Sequence, residues 1–236
     1  MKFIIVDKRI SEKCERSLLK EGFTLLKLPP DPNLGEAVGS HPDTVLFYSD
    51  GELITTADYC DAAAYFFSDL REFCPEVRIT FTSDRRSAKY PEDCAMNALL
   101  IGRRLFCKES SISEAVINLA KARDYEICRV NQGYPACTVL AFGNRAITAD
   151  RGMAKALGDK GIEVTLINNG HISLPPHEYG FIGGASGVFG KKVYFLGDLM
   201  SHPDGERIRE AILSEGYTPI SLSDESLRDL GGIIFL

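Results

Sequence analysis

The sequence predicts an α/β fold of five repeated units, a five-bladed α/β propeller of ββαβ units closed by its own two ends. The first observation is a recurring order of apolar run, turn, second apolar run, helical stretch and final strand. That order appears in four segments: 44–82, 97–131, 138–168 and 186–221. The second observation is that residues 1–28 carry only the later part of a unit, while 230–236 can supply its missing first strand. Pairing the two ends removes exposed sheet edges.

The third observation is an acidic residue at the end of the second strand in every unit. These residues are Asp7, Asp58, Glu109, Asp150 and Asp198. A carboxylate before a helix accepts backbone N–H bonds and meets the positive end of the helix dipole, so we interpret these acids as helix N-caps. The alternative is that some of them face a ligand. Ser111 with Glu114 predicts a capping box in the third unit.

The elements of each unit follow from local patterns. In the partial first unit, the apolar run before Asp7 predicts the second strand, and the segment that follows predicts a helix and then the last strand. In the fifth unit, Ile208, Ala211 and Ile212 recur at the i, i+3, i+4 spacing of a buried helix face. Gly161 and Gly216 stand where helices should stop. We expect a single domain over residues 1–236. Its approximate units are 230–236 with 1–30, 37–83, 90–131, 134–170 and 179–223.

Composition restricts the class of protein. The 236 residues carry 27 basic and 33 acidic side chains, a net charge of −6, which disfavours an extended nucleic-acid surface. The longest apolar run, Ala62–Phe67, is too short for a membrane span. The N-terminal run is too brief for a signal peptide, and the seven cysteines form no Cys-x-x-Cys pair, so we expect a cytoplasmic protein with reduced thiols. The spacing of Cys and His disfavours a zinc site, and we expect neither metal nor cofactor.

Aligning the units on their acids brings small polar residues to equivalent positions. The first strands then begin at Thr44, Asn97, Thr138 and Ser186. In a ring with these strands innermost, the four residues surround the axis, and Asp43 and Asp93 precede two of the strands on similar lead-in segments. A concave site with convergent polar groups is a binding site by default. The alternative is that these side chains only satisfy one another and bound water at a crowded axis.

Further candidates lie on neighbouring segments. Cys137 is a candidate nucleophile if a nearby cation lowers its pKa, and is otherwise a buried inert thiol. His171, in a loop, is a candidate general base or a structural histidine. The run Gly183–Gly187 fits neither a P-loop nor a hydrolase elbow, which leaves close packing or ligand contact by Gly183 and Gly184.

Several motifs resemble an uncharacterised bacterial family with the pentein, or guanidino-group-modifying-enzyme, fold. They are YPEDCAMN at 90–97, GYPAC at 133–137, ITADRGMAKAL at 147–157 and GHISLPPHEYGFIGGASG at 170–187. The resemblance implies a Cys thiolate that attacks a guanidinium carbon, a His that moves protons, and carboxylates that hold the cation. In those enzymes the nucleophile follows a Gly-rich segment in the last blade. Here Asp229–Leu236 has the glycines but neither Cys nor His, and Phe181-Ile-Gly-Gly replaces the usual His motif.

These observations lead to two functional hypotheses. The first is an axial pocket that binds a small cationic molecule, bearing an amidine or amine, without the standard catalytic Cys and His; catalysis stays open. Its candidate ligand-binding residues are Asp43, Asp93, Asn97, Thr138, Ser186, Gly183 and Gly184, and its candidate catalytic residues are Cys137 and His171. The second is a non-enzymatic module that docks on a protein or ribonucleoprotein through a ring face.

Overall fold

Five three-stranded sheets form the framework of the computed structural model, which describes residues 2–236. The strands are β1 (Lys2–Asp7), β2 (Phe23–Leu28), β3 (Phe47–Ser49), β4 (Glu52–Thr56), β5 (Arg78–Thr82), β6 (Leu99–Ile101), β7 (Arg104–Cys107), β8 (Glu126–Arg129), β9 (Val139–Phe142), β10 (Arg145–Thr148), β11 (Glu163–Leu166), β12 (Ser186–Phe189), β13 (Lys192–Phe195), β14 (Thr218–Ser221) and β15 (Ile234–Phe235). Each sheet holds the three strands of one predicted unit, so the predicted fold of five ββαβ units is confirmed.

Helices connect the second and third strands of every unit. The helices are α1 (Glu12–Lys20), α2 (Pro42–Val45), α3 (Ala57–Ala62), α4 (Ala64–Phe73), α5 (Glu114–Ala122), α6 (Pro135–Thr138), α7 (Arg151–Gly158) and α8 (Gly205–Ser214). Two 3₁₀ turns are Glu92–Cys94 and Leu199–Ser201. None of the helices described within residues 2–236 has the length and apolar character needed to cross a bilayer.

The fourth unit illustrates the local topology. Strands β9 and β10 form an antiparallel hairpin in which Val139 pairs with Thr148, and β10 runs parallel to β11 with Arg145 opposite Glu163. A parallel pair needs a crossover, which α7 provides. The hairpin turns of four units hold a glycine in the left-handed region that such turns favour: Gly51, Gly102, Gly143 and Gly190.

The two ends of the chain close the fold as predicted. Strand β15 pairs antiparallel with β1, with Ile4 opposite Phe235 and Ile5 opposite Ile234. The first strands β6, β9, β12 and β15 lie side by side in the order of their units. The first unit's sheet is therefore completed by residues from the far end of the sequence, which leaves β1 paired on both sides.

Apolar side chains pack between neighbouring units. Leu99 and Phe106 of the third unit share a buried cluster with Val139, Met153 and Leu157 of the fourth. A comparable cluster joins residues of the first and fifth units. Burial between units removes apolar surface from water along the whole ring of sheets, which stabilises their mutual placement.

The predicted helix features are confirmed in part. Ile208, Ala211 and Ile212 are buried on one face of α8, and Gly216 follows the helix with φ +72°. Asp150 caps α7 by accepting a bond from the Met153 N–H.

Other predicted caps are wrong. Ser113, not Ser111, caps α5, because the chain makes a further turn before the helix begins. Ser11 takes the cap of α1, which leaves the Asp7 carboxylate for other partners. In the second unit, Asp58 lies within the first turn of α3 and does not precede it.

Candidate functional site

Three short helical turns carry polar residues into the space at the starts of the first strands. These turns are α2, the 3₁₀ turn Glu92–Cys94 and α6, and each begins at or directly after a proline. Proline is favoured there because its φ suits a helix and its missing N–H has no intrahelical partner. The turns carry Asp43, Asp93 and Cys137.

Cys137 lies in a group with His41 and Asp43. One donor atom from each residue, the Cys137 Sγ, a ring nitrogen of His41 and a carboxylate oxygen of Asp43, lies within 4.8 Å of the other two. The Nδ2 of Asn97 donates to the Sγ at 3.2 Å and to the Asp43 carbonyl at 3.0 Å, while its Oδ1 accepts from the Ala136 N–H. Asn97 therefore ties α2 to α6 and fixes the position of the thiol.

The Cys137 thiol is neutral in this arrangement. Burial raises its pKa well above the ordinary value, and the Asp43 carboxylate raises it further. No lysine or arginine side chain contacts Asp43 among the described residues to offset this effect. The thiol thus needs a nearby base, or an incoming positive charge, to become a nucleophile.

His41 is that nearby base. Its side chain is buried, with Nε2 3.8 Å from Asp7 Oδ2 and Nδ1 3.7 Å from Asp229 Oδ1. Neither ring nitrogen has a hydrogen-bond partner among the described residues. Burial lowers the pKa of His41 to about 3 and outweighs the opposing effect of Asp7. The imidazole is therefore neutral at pH 7, the form that accepts a proton.

Two carboxylates, the buried Asp229 and the half-buried Asp43, face this pair without a lysine or arginine partner among the described residues. Asp229 accepts bonds from the Phe181 and Gly231 N–H groups at 2.8 and 3.0 Å, and Asp43 accepts one from the Thr44 hydroxyl. Burial raises the pKa of Asp43 to about 6 and that of Asp229 to about 7. Both groups therefore titrate near neutral pH, and a cation that reaches them stabilises their charged forms.

Asp7 differs because it has a permanent counter-ion. The Arg9 guanidinium binds both carboxylate oxygens, with Nη2–Oδ2 2.5 Å and Nε–Oδ1 2.9 Å. The same guanidinium donates to the carbonyls of Glu36 and Ala37. The pair thereby anchors the loop before His41 to the end of β1.

Asp93 forms the second polar centre. Its Oδ2 accepts from the Tyr134 hydroxyl at 2.5 Å and its Oδ1 from the Cys94 thiol at 3.3 Å. Both donors are neutral, and burial together with the Asp93 bond raises the pKa of Tyr134. The Asp93 carboxylate is 7% exposed and has no ion pair among residues 2–236.

These groups form the floor of a cavity of about 610 Å³. Its floor residues are His41, Thr44, Asp93, Tyr134, Cys137 and Asp229, and its walls come from 35–38 and from 174–181. The walls add Glu36 and Glu178, and no lysine or arginine lines the described part of the cavity. The cavity is lined by acids and by two histidines, His41 and His177, without lysine or arginine, and this charge balance favours a cationic ligand.

The predicted site residues separate into distinct positions. Asp93 and Cys137 line the cavity, whereas Asp43 contacts Cys137 from behind and lines a second cavity, of about 420 Å³, further along the first strands. The hydroxyls of Thr138 and Ser186 donate to carbonyls in their own turns, those of Tyr134 and Ile182. The protons of both hydroxyls are therefore used within the local backbone.

Gly183 and Gly184 allow close packing beneath the cavity. The Gly184 N–H donates to the Cys137 carbonyl at 2.9 Å, and a Cβ on Gly184 would lie 2.0 Å from Asp229 Oδ1. A Cβ on Gly183 would lie 2.2 Å from the Ala136 carbonyl oxygen. These glycines let the backbone reach α6 and Asp229, and so position the site.

The structure does not bring His171 to Cys137. His171 is exposed, packs edge-on against His202 at 5.4 Å and is not among the residues that line the cavity. The imidazole of the site is instead His41, so the expected absence of a Cys–His pair is not confirmed. Sequence analysis missed His41 and Asp229 as site residues, although His41-Pro-Asp matches the proline-containing lead-ins of the other units.

The chain belongs to a family of unknown function, DUF6873, whose model matches residues 5–234. A search of functionally curated proteins gives no match.

Solved structures with the pentein fold are similar over nearly the whole chain. A dimethylarginine dimethylaminohydrolase has a TM-score of 0.60 at 13% identity, covering 94% of this chain and 92% of its own. The inosamine-phosphate amidinotransferase of Streptomyces griseus has a TM-score of 0.56 at 12% identity, covering 99% and 93%. The agmatine deiminase of C. jejuni has a TM-score of 0.57 at 6% identity, covering 94% and 87%. The fold is therefore that of the pentein, or guanidino-group-modifying, proteins.

Proposed function

We propose that the 610 Å³ cavity binds a small cation that bears a guanidinium, amidine or amine group. The observation that carries the proposal is the pair of buried carboxylates that line the cavity, Asp93 and Asp229, which have no lysine or arginine partner among the described residues. The half-buried Asp43, behind Cys137, adds a third such acid next to the cavity. Burying acids without counter-ions costs free energy, and a bound cation removes that cost. A planar guanidinium suits carboxylates best because it donates paired hydrogen bonds.

We further propose that, for a guanidinium or amidinium ligand, Cys137 and His41 carry out substitution at the central carbon of that group. A cation beside the thiol lowers the pKa of Cys137, and His41 accepts the thiol proton. The sulfur–carbon bond then forms, a carbon–nitrogen bond breaks, and the departing amine takes the proton from His41. Water hydrolyses the resulting covalent adduct. The similar solved structures include an amidinotransferase and an agmatine deiminase, which supports a guanidinium-type ligand.

Binding is tested by thermal unfolding with a panel of cations and a panel of anions. Agmatine, methylated arginines and polyamines should raise the melting temperature, because a ligand at 100 times its Kd stabilises by about 2.7 kcal/mol. Asp93→Asn should reduce the shift, whereas Asp61→Asn, an exposed position on α3, should retain it. Stabilisation by phosphate or citrate alone would contradict a cation site.

Turnover is tested separately by mass spectrometry and amine release with the compounds that bind. Cys137→Ser should abolish product formation while keeping the thermal shift. Cys128→Ser removes a buried thiol on β8 that does not line the cavity, and should keep activity. Binding without product in the wild type would restrict the function to ligand binding.

A further inference from the structure

The Cys137 group has the composition and spacing of a transition-metal site. Thiolate, imidazole and carboxylate donors lie about 2.0–2.3 Å from a tetrahedral zinc ion, which places them about 3.5 Å from one another. The donor atoms of His41, Asp43 and Cys137 lie within 4.8 Å of one another. A contraction of at most about 1.3 Å therefore brings them to coordination distance.

The free donor atoms give a second, independent indication. Both ring nitrogens of His41 and the Oδ2 of Asp43 are buried and have no hydrogen-bond partner among the described residues. Buried polar atoms are normally satisfied, so an unpartnered ring nitrogen and an unpartnered carboxylate oxygen within 4.8 Å of the Cys137 thiol indicate a ligand. A metal ion satisfies the carboxylate oxygen and one ring nitrogen together.

The surrounding residues suit a metal-bound imidazole. A histidine ligand usually donates its other ring N–H to a carboxylate. Nε2 of His41 faces Asp7 and Nδ1 faces Asp229, so the ring nitrogen that does not bind the ion meets a carboxylate. One thiolate and one carboxylate balance the charge of a divalent ion, and the mixed sulfur, nitrogen and oxygen donors favour zinc over magnesium or calcium.

We propose that His41, Asp43 and Cys137 form a three-ligand site for Zn²⁺ or a similar transition metal, with the fourth position open to the 610 Å³ cavity. Metal binding releases the thiol proton to solvent and forms a sulfur–metal bond. It also withholds the thiol and Asp43 from a guanidinium ligand, so metal and organic cation exclude each other. The metal site rests on donor geometry and does not require the proposed function.

Cobalt titration of the full chain tests the site directly. Protein treated with reductant and chelator, then exchanged into chelator-free buffer, should bind one Co²⁺ per chain with a thiolate-to-cobalt absorption band in the near ultraviolet. Zn²⁺ should abolish the band and raise the melting temperature, and Mg²⁺ at the same concentration should do neither. Absence of the band in the wild-type protein would overturn the proposal.

Variants identify the ligands. Cys137→Ser should eliminate the band, and Asp43→Asn should weaken Co²⁺ binding at least tenfold. Cys94→Ser is the matched control, a buried cysteine beside Asp93, and should keep the band. A band that survives in Cys137→Ser, or disappears in Cys94→Ser, would assign the metal to other residues. Should Cys137→Ser not fold, an unchanged Co²⁺ affinity in Asp43→Asn alone overturns the site.

The results of the cobalt titration can be distinguished from the results of the thermal-shift experiments with organic cations. Organic cations are measured in chelator, where metal is absent, and metals are measured without organic cation. Failure of the cobalt titration leaves the cation shift intact, and failure of the cation panel leaves the metal site intact. In a competition experiment, zinc should lower the apparent affinity for whichever organic cation binds.

Discussion

Asp43→Asn should stabilise the ligand-free protein at pH 8 although it removes a site residue. The folded state raises the pKa of Asp43 from 3.8 to about 6, because burial disfavours the charged form. Between these values the folded state binds more protons than the unfolded chain, so wild-type stability falls as pH rises from about 4 to about 6 and stays reduced above it. Two pH units at 1.36 kcal/mol each give a penalty of about 3 kcal/mol at pH 8.

The asparagine removes this penalty with little disturbance of local contacts. Its Oδ1 can still accept the bond from the Thr44 hydroxyl, and its amide group replaces an oxygen that has no partner among the described residues. The gain should therefore approach about 3 kcal/mol at pH 8 and vanish near pH 4, where the wild-type carboxyl is protonated in the folded state.

Urea denaturation in the presence of chelator measures the difference at both pH values. An unchanged slope m with a higher midpoint at pH 8 identifies a change in stability. Asp61→Asn, on the exposed surface of α3, controls for loss of a negative charge and should change the free energy of unfolding by less than about 0.5 kcal/mol. An Asp43→Asn protein that is less stable than wild type at pH 8, or equally stabilised at pH 4 and pH 8, would refute the reasoning.

Three further predictions follow from the same geometry. The affinity for a guanidinium cation should rise from pH 5 to pH 8 as Asp43 and Asp229 lose protons. Calorimetry in buffers of different ionisation enthalpy should detect proton release on binding. An affinity that falls as the pH rises would contradict this prediction. Gly184→Ala should destabilise the protein by more than about 2 kcal/mol in thermal unfolding, because the new Cβ would overlap Asp229. Gly158→Ala, in a helix with open space around it, should stabilise the protein by up to about 1 kcal/mol in the same assay. Deleting 230–236 should unpair β1 and cause unfolding or aggregation, and an unchanged melting temperature would exclude ring closure.

The fold could be predicted from the sequence because the same local pattern recurs in several units. Alternating apolar runs, turn glycines and amphipathic helices are short-range features, and each unit repeats the information in the others. The closing strand was predictable because the first unit lacked one. The exact helix starts were less predictable, as the cap at Ser113 in place of Ser111 illustrates, since several hydroxyls before a helix compete for the same N–H groups.

The candidate site was predicted only in part. Alignment of the lead-in segments located Asp93, Asn97 and Cys137, since equivalent positions in repeated units converge at the axis. His41 and Asp229 were missed because they reach the site from different units, nearly two hundred residues apart in sequence. Linear spacing, on which the argument against zinc rested, carries no information about such a group.

The arrangement at the axis is costly for an isolated protein, and that cost argues for a ligand. A neutral imidazole and a thiol are buried beside Asp229 and the half-buried Asp43, while the Arg9 guanidinium is bound to Asp7. An apolar packing of the same volume would avoid the desolvation of every one of these groups. Stabilising substitutions are common in proteins, so a site that keeps a pH-dependent penalty of about 3 kcal/mol at Asp43 is best explained by what binds there. A guanidinium or a metal ion removes the same penalty, which is why the two are expected to compete for one carboxylate.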